Sequence, residues 1–344
     1  MVRRINLALQ GGGAHGAFTW GVLDKLLEDE DIEIAAISGT SAGALNGAAY
    51  KAGLQSGGRD GAKDCLDQLW NEVGRLDEAR LSDWMFPGLP FVAAMASTVE
   101  AMFPFSPQGI AAQLVSPYAW GSAWRNPLEK IVRRLDFSQV CHADGPKLFV
   151  SATNVRTGKI RVFSGDEISP EALMASACLP TAFQAVELTD PQTGQVEAFW
   201  DGGYAGNPAL FPLYTKNLPD DVVIVSINPM RRDELPKSPL EIQNRINEIS
   251  FNASLLGELR AVEFVRRLIR QGKMEKGVMK DVLIHFISDE ALMNDLSASS
   301  KLTPSAALLY RLKDAGRQAA NGFLQSHRGD IGKRASIDLA GLFG

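Results

Sequence analysis

Ser41 has the sequence context of a serine that acts as a nucleophile. It is the central residue of Gly39-Thr40-Ser41-Ala42-Gly43, a Gly-x-Ser-x-Gly motif. An apolar run ending at Ser38 precedes the motif and a helical pattern follows it, so the serine is predicted at the tip of a strand-to-helix turn. The chemistry that such a turn serves is acyl transfer through a covalent serine ester. The alternative is an ordinary glycine-rich turn, because this short pattern is weak by itself.

A nucleophilic serine needs a base, and Asp201 is the first candidate. It ends a predicted strand that begins at Val196, and it is followed by Gly202 and Gly203. A carboxylate at the end of a strand can reach the same edge of the sheet as Ser41, accept the hydroxyl proton and form a Ser–Asp dyad. Asp-Gly-Gly is also a common turn sequence, so a turn alone would explain it if no other motif were present.

A Ser-His-Asp triad is the rival arrangement. Ser41, Asp201 and His285 follow one another in the order of serine, acid and histidine that α/β-hydrolases use. His285, however, is predicted in the middle of the apolar strand Val282–Ile287 rather than in a loop at its end. The serine motif also comes earlier in the chain than that fold places it. The dyad is therefore the preferred interpretation.

A second glycine-rich stretch runs from Gln10 to Gly16. Backbone N–H groups of such a loop can hold the negative oxygen that develops on an ester carbonyl. We predict an oxyanion hole made by the N–H groups of Gly11, Gly12, Gly13 and Ala42. The spacing also fits a dinucleotide-binding loop, but that motif requires an acidic residue at the end of the next strand, where this chain has Ser38 to Ser41.

These groups meet only if the strands that carry them lie side by side. Two strand–turn–helix units open the chain. A strand at Ile5–Leu9 leads into the glycine loop and a helix at Ala17–Glu28, and the next strand leads into Ser41 and a second helix. Neighbouring parallel strands bring the loops that follow them together at the carboxyl edge of the sheet.

Four motifs, in this order and spacing, resemble the patatin-like phospholipase family over roughly residues 5–215. They are Gln10–Gly16, Gly39–Gly43, Ala175-Ser176 followed by Pro180, and Asp201-Gly202-Gly203. The resemblance implies a serine lipid acyl hydrolase of the phospholipase A or esterase type, related to cytosolic phospholipases A. It implies Ser41 as nucleophile and Asp201 as general base, with no metal and no organic cofactor. The residues that would support the motifs are Gly16, Gly39, Gly43, Gly202 and Gly203.

The fold implied by the resemblance is a three-layer α/β/α sandwich on a mostly parallel sheet. Residues 5–215 would form the catalytic domain, and residues 216–344 a strand-and-helix region that completes it or packs on it. An aromatic-rich cap is expected at about 80–125, because between Trp84 and Trp124 the only ionisable side chains are Glu100 and Tyr118. This cap is interpreted as a buried insertion over the sheet or, alternatively, as an acyl-chain pocket or lid that contacts lipid.

One position departs from the family pattern. The family usually has Arg or Lys where this chain has His15. An unperturbed histidine is mostly neutral at pH 7, so a fixed positive charge beside the glycine loop is not expected from this residue. Because the residue is not the nucleophile, the chemistry is expected to survive the change.

Composition limits the other function classes. The 344 residues carry a net charge of -5, which gives no basic footprint for nucleic acid. Cys65, Cys141 and Cys178 are too few and too widely spaced for a disulfide framework or a zinc site, so we expect reduced thiols. The sequence has no apolar run of about 18 residues and no apolar signal core after Met1. We therefore expect a cytoplasmic protein with at most peripheral contact with a membrane.

The remaining segments carry predicted elements rather than motifs. A loop is expected at residues 55–61, and a helix opened by Asn126-Pro127 presents a basic face of Lys130, Arg133 and Arg134. That face is interpreted as solvated or, alternatively, as a contact with anionic lipid headgroups. The C-terminal third is predicted as packing helices, the last long one opened by Thr303-Pro304, with a loose tail after His327.

The expected partner is a lipid or another acyl-ester substrate, and no oligomeric state is indicated. An acyltransferase or a thioesterase would use the same acyl-enzyme with a different acceptor or donor. A non-catalytic lipid-binding scaffold would keep the serine turn as architecture only. The presence of both Ser41 and Asp201 argues against the scaffold.

Overall fold

The computed structural model describes residues 2–78, 117–118, 126–275, 277–296, 298–301 and 304–343. All four sequence motifs lie inside these ranges. The cap predicted for about 80–125 lies outside them, apart from residues 117–118.

Eight strands form one mixed sheet in the described part of the chain. They are β1 (Arg3–Leu9), β2 (Ile32–Thr40), β3 (Lys147–Asn154), β4 (Ile160–Ser164), β5 (Val186–Thr189), β6 (Val196–Asp201), β7 (Asp221–Val225) and β8 (Leu283–Ile287). Their order is β5-β6-β3-β2-β1-β7-β8, and β4 also pairs with β3. The pairs from β3 to β8 along this order are parallel, whereas β4, β5 and β6 pair antiparallel.

Helices connect the strands and cover the sheet. The α-helices are α1 (Ala17–Leu26), α2 (Ala42–Glu78), α3 (Leu128–Val132), α4 (Phe137–Val140), α5 (Pro170–Ser176), α6 (Pro239–Arg270), α7 (Glu290–Asp295), α8 (Ala306–His327) and α9 (Leu339–Phe343). Short 3-10 turns lie at Gly13–Gly16, Gly165–Glu167, Gly202–Tyr204, Phe211–Tyr214 and Ala298–Lys301. None of the helices in the described ranges is long and apolar enough to cross a membrane.

The core lies in two layers, one on each face of the sheet. Successive side chains of a strand point to opposite faces. On β1, Leu7 and Leu9 therefore join a cluster with α1, α2 and α8, whereas Ala8 joins a second cluster with α6. The predicted three-layer α/β/α sandwich with a mostly parallel sheet is confirmed, and the C-terminal region is largely helical.

Two predicted boundaries are wrong. The loop expected at residues 55–61 is only a kink at Gly57 and Gly58, and the chain is helical on both sides of it. Gly58 has a φ of +63°, a conformation that glycine adopts without a steric cost. The last long helix begins at Ala306 rather than at Thr303-Pro304, because the Ser305 hydroxyl caps it by accepting the N–H of Leu308 at 3.4 Å.

The predicted loose tail after His327 is also wrong. Ile331 and Leu339 bury their side chains in the two core clusters. The Gly332 N–H donates to both carboxylate oxygens of Asp221, at 2.9 and 3.0 Å. Apolar burial and this charge-assisted hydrogen bond hold the tail on the sheet.

The basic face of α3 is largely neutralised. Arg133 pairs with Glu129 at 3.0 Å and with Glu171 at 2.9 Å, and Arg134 pairs with Glu72. These contacts favour the solvated interpretation of the face over a contact with anionic headgroups.

Candidate active site

Ser41 follows β2 directly and lies at the first turn of α2. Its φ is +54°, the left-handed region that non-glycine residues rarely adopt. The Ser41 N–H donates to the Ser176 hydroxyl at 2.8 Å, and the Ser41 carbonyl accepts the N–H of Leu45 at 3.0 Å. The side chain is almost fully buried. This is the strained strand-to-helix geometry that is expected of a turn presenting a serine hydroxyl.

The register of β3 brings Asp201 next to Ser41. Ser151 of β3 pairs with Thr40, the last residue of β2, and the next residue, Ala152, pairs with Asp201. Because β4 occupies the other edge of β3 at these positions, β2 and β6 share one edge. Asp201 therefore pairs with β3 directly after the position where β2 ends, and it lies next to Ser41.

The carboxyl group of Asp201 is buried, and only one of its two oxygens accepts an ordinary hydrogen bond from the described residues. Oδ1 accepts the Gly203 N–H at 2.7 Å, while Oδ2 accepts no hydrogen bond of ordinary length and angle from the described residues. Burial raises the pKa of Asp201 to about 7, although the Gly203 N–H and an interaction with the Ser41 hydroxyl lower it. The interaction with the Ser41 hydroxyl shows that this hydroxyl lies close to the carboxyl group.

Two glycines allow the loops to meet around Ser41. A Cβ atom on Gly11 would lie 2.7 Å from the Ser41 Cβ, so the glycine loop packs directly against Ser41. A Cβ atom on Gly202 would collide with the Ser151 carbonyl oxygen, so the turn after Asp201 packs tightly on β3. A Cβ atom would be equally crowded at the other motif glycines. It would meet Ala42 at Gly16, the Gly43 backbone at Gly39, the Leu9 backbone at Gly43 and the Phe251 ring at Gly203.

The predicted oxyanion hole changes in one member. The Gly11 N–H donates to Asn207 Oδ1 at 2.7 Å, so it is not available to a substrate. The N–H groups of Gly12, Gly13 and Ala42 donate to no acceptor within the described ranges. Gly11 packs closely against Ser41, and the three remaining N–H groups are the candidate donors.

His15 is neutral for a stronger reason than the one expected from the sequence. It is 2% exposed, and its Nε2 shares a 2.8 Å hydrogen bond with the Ser300 hydroxyl. Burial and the nearby charge of Lys301 lower the pKa of His15 to about 3. The positive charge that acts most strongly on His15 is that of Lys301. The backbone carbonyl oxygen of Lys301 also occupies the space where a Cβ atom on Gly13 would lie.

His285 lies away from Ser41. Its Nε2 shares a 2.9 Å hydrogen bond with Asp221 Oδ1, and its side chain is fully buried. In the sheet order β2-β1-β7-β8 it is three strands from β2, about 14 Å at ordinary strand spacing. The structure therefore does not bring together the rival Ser-His-Asp triad.

Several site residues had no functional prediction from the sequence. Ser176 and Gln10 were recognised only as members of motifs, and the sequence did not indicate which groups their side chains bind. Asn207 and Asn228, which bind the Gly11 peptide, lie in no motif. No local signal marks such residues, because their partners lie about two hundred positions away in the chain.

Comparison with known proteins gives a family and a distant structural likeness. A family model for patatin-like phospholipase matches residues 7–214. No curated protein sequence matches the chain. The crystal structure of VipD from Legionella pneumophila superposes with a TM-score of 0.42 at 13% sequence identity, covering 94% of this chain and 67% of that one.

Proposed function

Because the chain belongs to the patatin-like phospholipase family, we propose that it is a serine hydrolase that cleaves carboxylic esters of lipids through Ser41 and Asp201. The observation that carries the proposal is the β3 register, which sets Asp201 beside the end of β2. Its buried Oδ2 accepts no ordinary hydrogen bond from the residues that the structure describes. The left-handed conformation of Ser41 supports the same assignment. Phospholipase A or esterase activity would follow from this chemistry.

Acylation is the first half of the reaction. Asp201 Oδ2 accepts the Ser41 hydroxyl proton while the Ser41 oxygen bonds to the ester carbonyl carbon. The carbonyl oxygen becomes negative and is held by the N–H groups of Gly12, Gly13 and Ala42. The bond to the alcohol oxygen then breaks, and the leaving alcohol takes the proton from Asp201.

Deacylation repeats these steps with water. Asp201 accepts a proton from a water molecule whose oxygen bonds to the acyl carbon. The same N–H groups hold the tetrahedral oxyanion, and the bond between the acyl carbon and the Ser41 oxygen then breaks. Ser41 regains its proton from Asp201 and the fatty acid leaves, so the enzyme returns to its starting state.

Residues 5–215 hold the proposed catalytic machinery, and residues 216–344 complete the same domain. β7 and β8 lie in the sheet beside β1, and α6 and α8 cover its two faces, which supports one domain over two. We propose a cytoplasmic location, with a lipid or acyl ester as substrate and no nucleic-acid partner.

Peripheral contact with a lipid surface is part of the proposal. α6 exposes Ile242, Ile246 and Ile249, whose spacing puts them on one face of the helix. Phe251 of the same helix packs against Gly203, next to Asp201. Ile246→Glu is expected to lower hydrolysis of vesicle lipid more than hydrolysis of a soluble short-chain ester. Equal losses would argue against lipid contact.

The test of the proposed function is labelling with a fluorophosphonate, followed by intact mass measurement. The native chain should gain one label and Ser41→Ala none. In a screen of lipid esters, Asp201→Asn should lower kcat by about 10²–10⁴-fold while His285→Ala stays near the native rate. Loss of activity in His285→Ala with retention in Asp201→Asn would overturn the dyad.

The alternative functions correspond to other results of the same experiment. An acyltransferase would pass the acyl group to added lysolipid or alcohol in preference to water, and a thioesterase would prefer acyl thioesters. A scaffold would stay unlabelled even in detergent micelles. Hydrolysis that depends on Ser41 would exclude the scaffold.

A further inference from the structure

Two buried asparagines anchor the Gly11 peptide. Asn228, three residues after β7, donates from Nδ2 to the Gly11 carbonyl oxygen at 2.7 Å. Asn207 donates to the same oxygen at 3.4 Å and accepts the Gly11 N–H at 2.7 Å. Both side chains are buried, so water does not compete for these contacts.

The direction of the Gly11 oxygen decides where the Gly12 N–H points. The two groups belong to one planar trans peptide, in which C=O and N–H point in opposite directions. Anchoring the oxygen on Asn228 therefore turns the Gly12 N–H away from Asn228. Gly12 is buried and its N–H donates to no acceptor in the described part of the chain, although a buried amide requires one. A negative substrate oxygen would satisfy it.

Lys301 decides which end of the Asn228 amide faces Gly11. Its ammonium group lies 3.3 Å from Asn228 Oδ1. An ammonium group has only donors, so it binds the amide oxygen and leaves the amide nitrogen to face Gly11. Gln10 Oε1 supports the same orientation by accepting from Asn228 Nδ2 at 3.3 Å.

A buried ion cluster holds Lys301 in this position. Glu248 accepts from Lys301 at 3.2 Å and from Arg232 at 2.8 Å on each carboxylate oxygen. The Glu248 side chain is fully buried. Burial alone would raise the pKa of Glu248, but Arg232 and Lys301 lower it to about 2, so this carboxylate stays charged. The cluster supports Lys301 because Glu248 is itself fixed by Arg232 and by Arg245, which lies 3.3 Å from it.

We propose that Asn228 and Lys301 are positioning residues that aim the Gly12 N–H at the oxyanion. Both lie beyond residue 214, where the family match ends, so the C-terminal third would contribute directly to the site. The proposal rests on the proposed function, because an oxyanion hole has a role only in acyl transfer. It also assigns Gly12 as the principal donor of the glycine loop.

The test compares two substitutions with a matched control. Asn228→Asp keeps the shape of the side chain but cannot donate to the Gly11 oxygen, and it is expected to lower kcat by about 10²-fold with KM changed less than about threefold. Lys301→Met is expected to lower kcat about tenfold, because Gln10 still supports the Asn228 amide, and Lys301→Arg should restore part of the rate. Lys280→Met removes another little-exposed lysine, which donates to the carbonyl oxygens of residues 213, 215 and 218, and should leave kcat unchanged.

A second measurement does not depend on activity. Hydrogen–deuterium exchange of peptides covering residues 10–17 should accelerate in Asn228→Asp and in Lys301→Met, but not in Lys280→Met. Faster exchange with an inactive native chain would support the positioning role and reject the proposed function. Unchanged exchange and unchanged kcat in the two folded variants would overturn the positioning role and leave the proposed function intact.

Discussion

The backbone N–H of Ser41 donates a 2.8 Å hydrogen bond to the hydroxyl of Ser176. This contact comes from the end of α5 and satisfies a donor in a turn where Ser41 has a φ of +54°. A left-handed conformation costs a non-glycine residue roughly 1–2 kcal/mol, which neighbouring contacts must offset. Ser176 is therefore part of the structure that keeps Ser41 in its strained conformation.

Replacing Ser41 by glycine is expected to stabilise the fold relative to Ser41→Ala. Glycine adopts the left-handed conformation without the steric cost, so the free energy of unfolding should be about 1 kcal/mol higher for Ser41→Gly. Chemical denaturation of the two variants measures this difference. Equal stabilities would mean that the turn stores no strain.

The pH dependence of hydrolysis should follow Asp201. Because burial raises its pKa to about 7, kcat/KM should rise about tenfold per pH unit below pH 7 and level off above it. His15 should add no inflection, since its pKa is lowered to about 3. Initial rates on a neutral ester between pH 5 and pH 9 test this, and a flat profile down to pH 5 would contradict the assignment of Asp201 as base.

The same carboxyl group should make the native fold less stable at high pH. Its pKa is raised on folding from 3.8 to about 7, so the folded state binds more protons and stability falls as pH rises across that window. Asp201→Asn removes this penalty. At pH 8 the free energy of unfolding of the variant should exceed that of the native chain by more than about 1 kcal/mol. This difference should vanish below pH 4. A constant difference at both pH values would reject this account.

Restoring the family's usual basic residue at position 15 should destabilise this chain. His15 is 2% exposed and lies close to the charge of Lys301, so an arginine there would bury a second cation. We expect His15→Arg to lower the free energy of unfolding by about 3 kcal/mol. His142→Arg is the matched control, because His142 is 46% exposed, and it should change stability by less than about 0.5 kcal/mol. Similar results for both would show that the buried position accommodates a cation.

A methyl group on Gly202 should disrupt the site through the backbone. A Cβ atom there would meet the Ser151 carbonyl and lie 3.0 Å from Thr40 Cγ2, so the turn after Asp201 must move. We expect Gly202→Ala to cost roughly 1–3 kcal/mol and to lower kcat strongly. Gly257→Ala lies in α6 with open space around the new atom and should be neutral or stabilising by up to about 1 kcal/mol. Thermal unfolding and rates of both variants separate local crowding from a general effect of replacing glycine.

The sequence by itself determined the local parts of this protein. The strand before Ser41, the turn at Ser41 and the strand from Val196 to Asp201 were all predictable. Hydrophobic periodicity and turn chemistry act over a few residues, so they can be recognised along the chain without knowing what packs against them. The four motifs then identified the family and, with it, the three-layer fold.

Only the tertiary structure decided how these parts act together. The β3 register sets Asp201 beside Ser41, the Asn207 side chain takes up the Gly11 N–H, and Lys301 approaches the glycine loop from the C-terminal third. Burial, and not residue type alone, sets the pKa of Asp201 and of His15. Hydrogen-bond partners and dielectric surroundings depend on residues hundreds of positions apart, and no local pattern in the chain encodes which of them will meet.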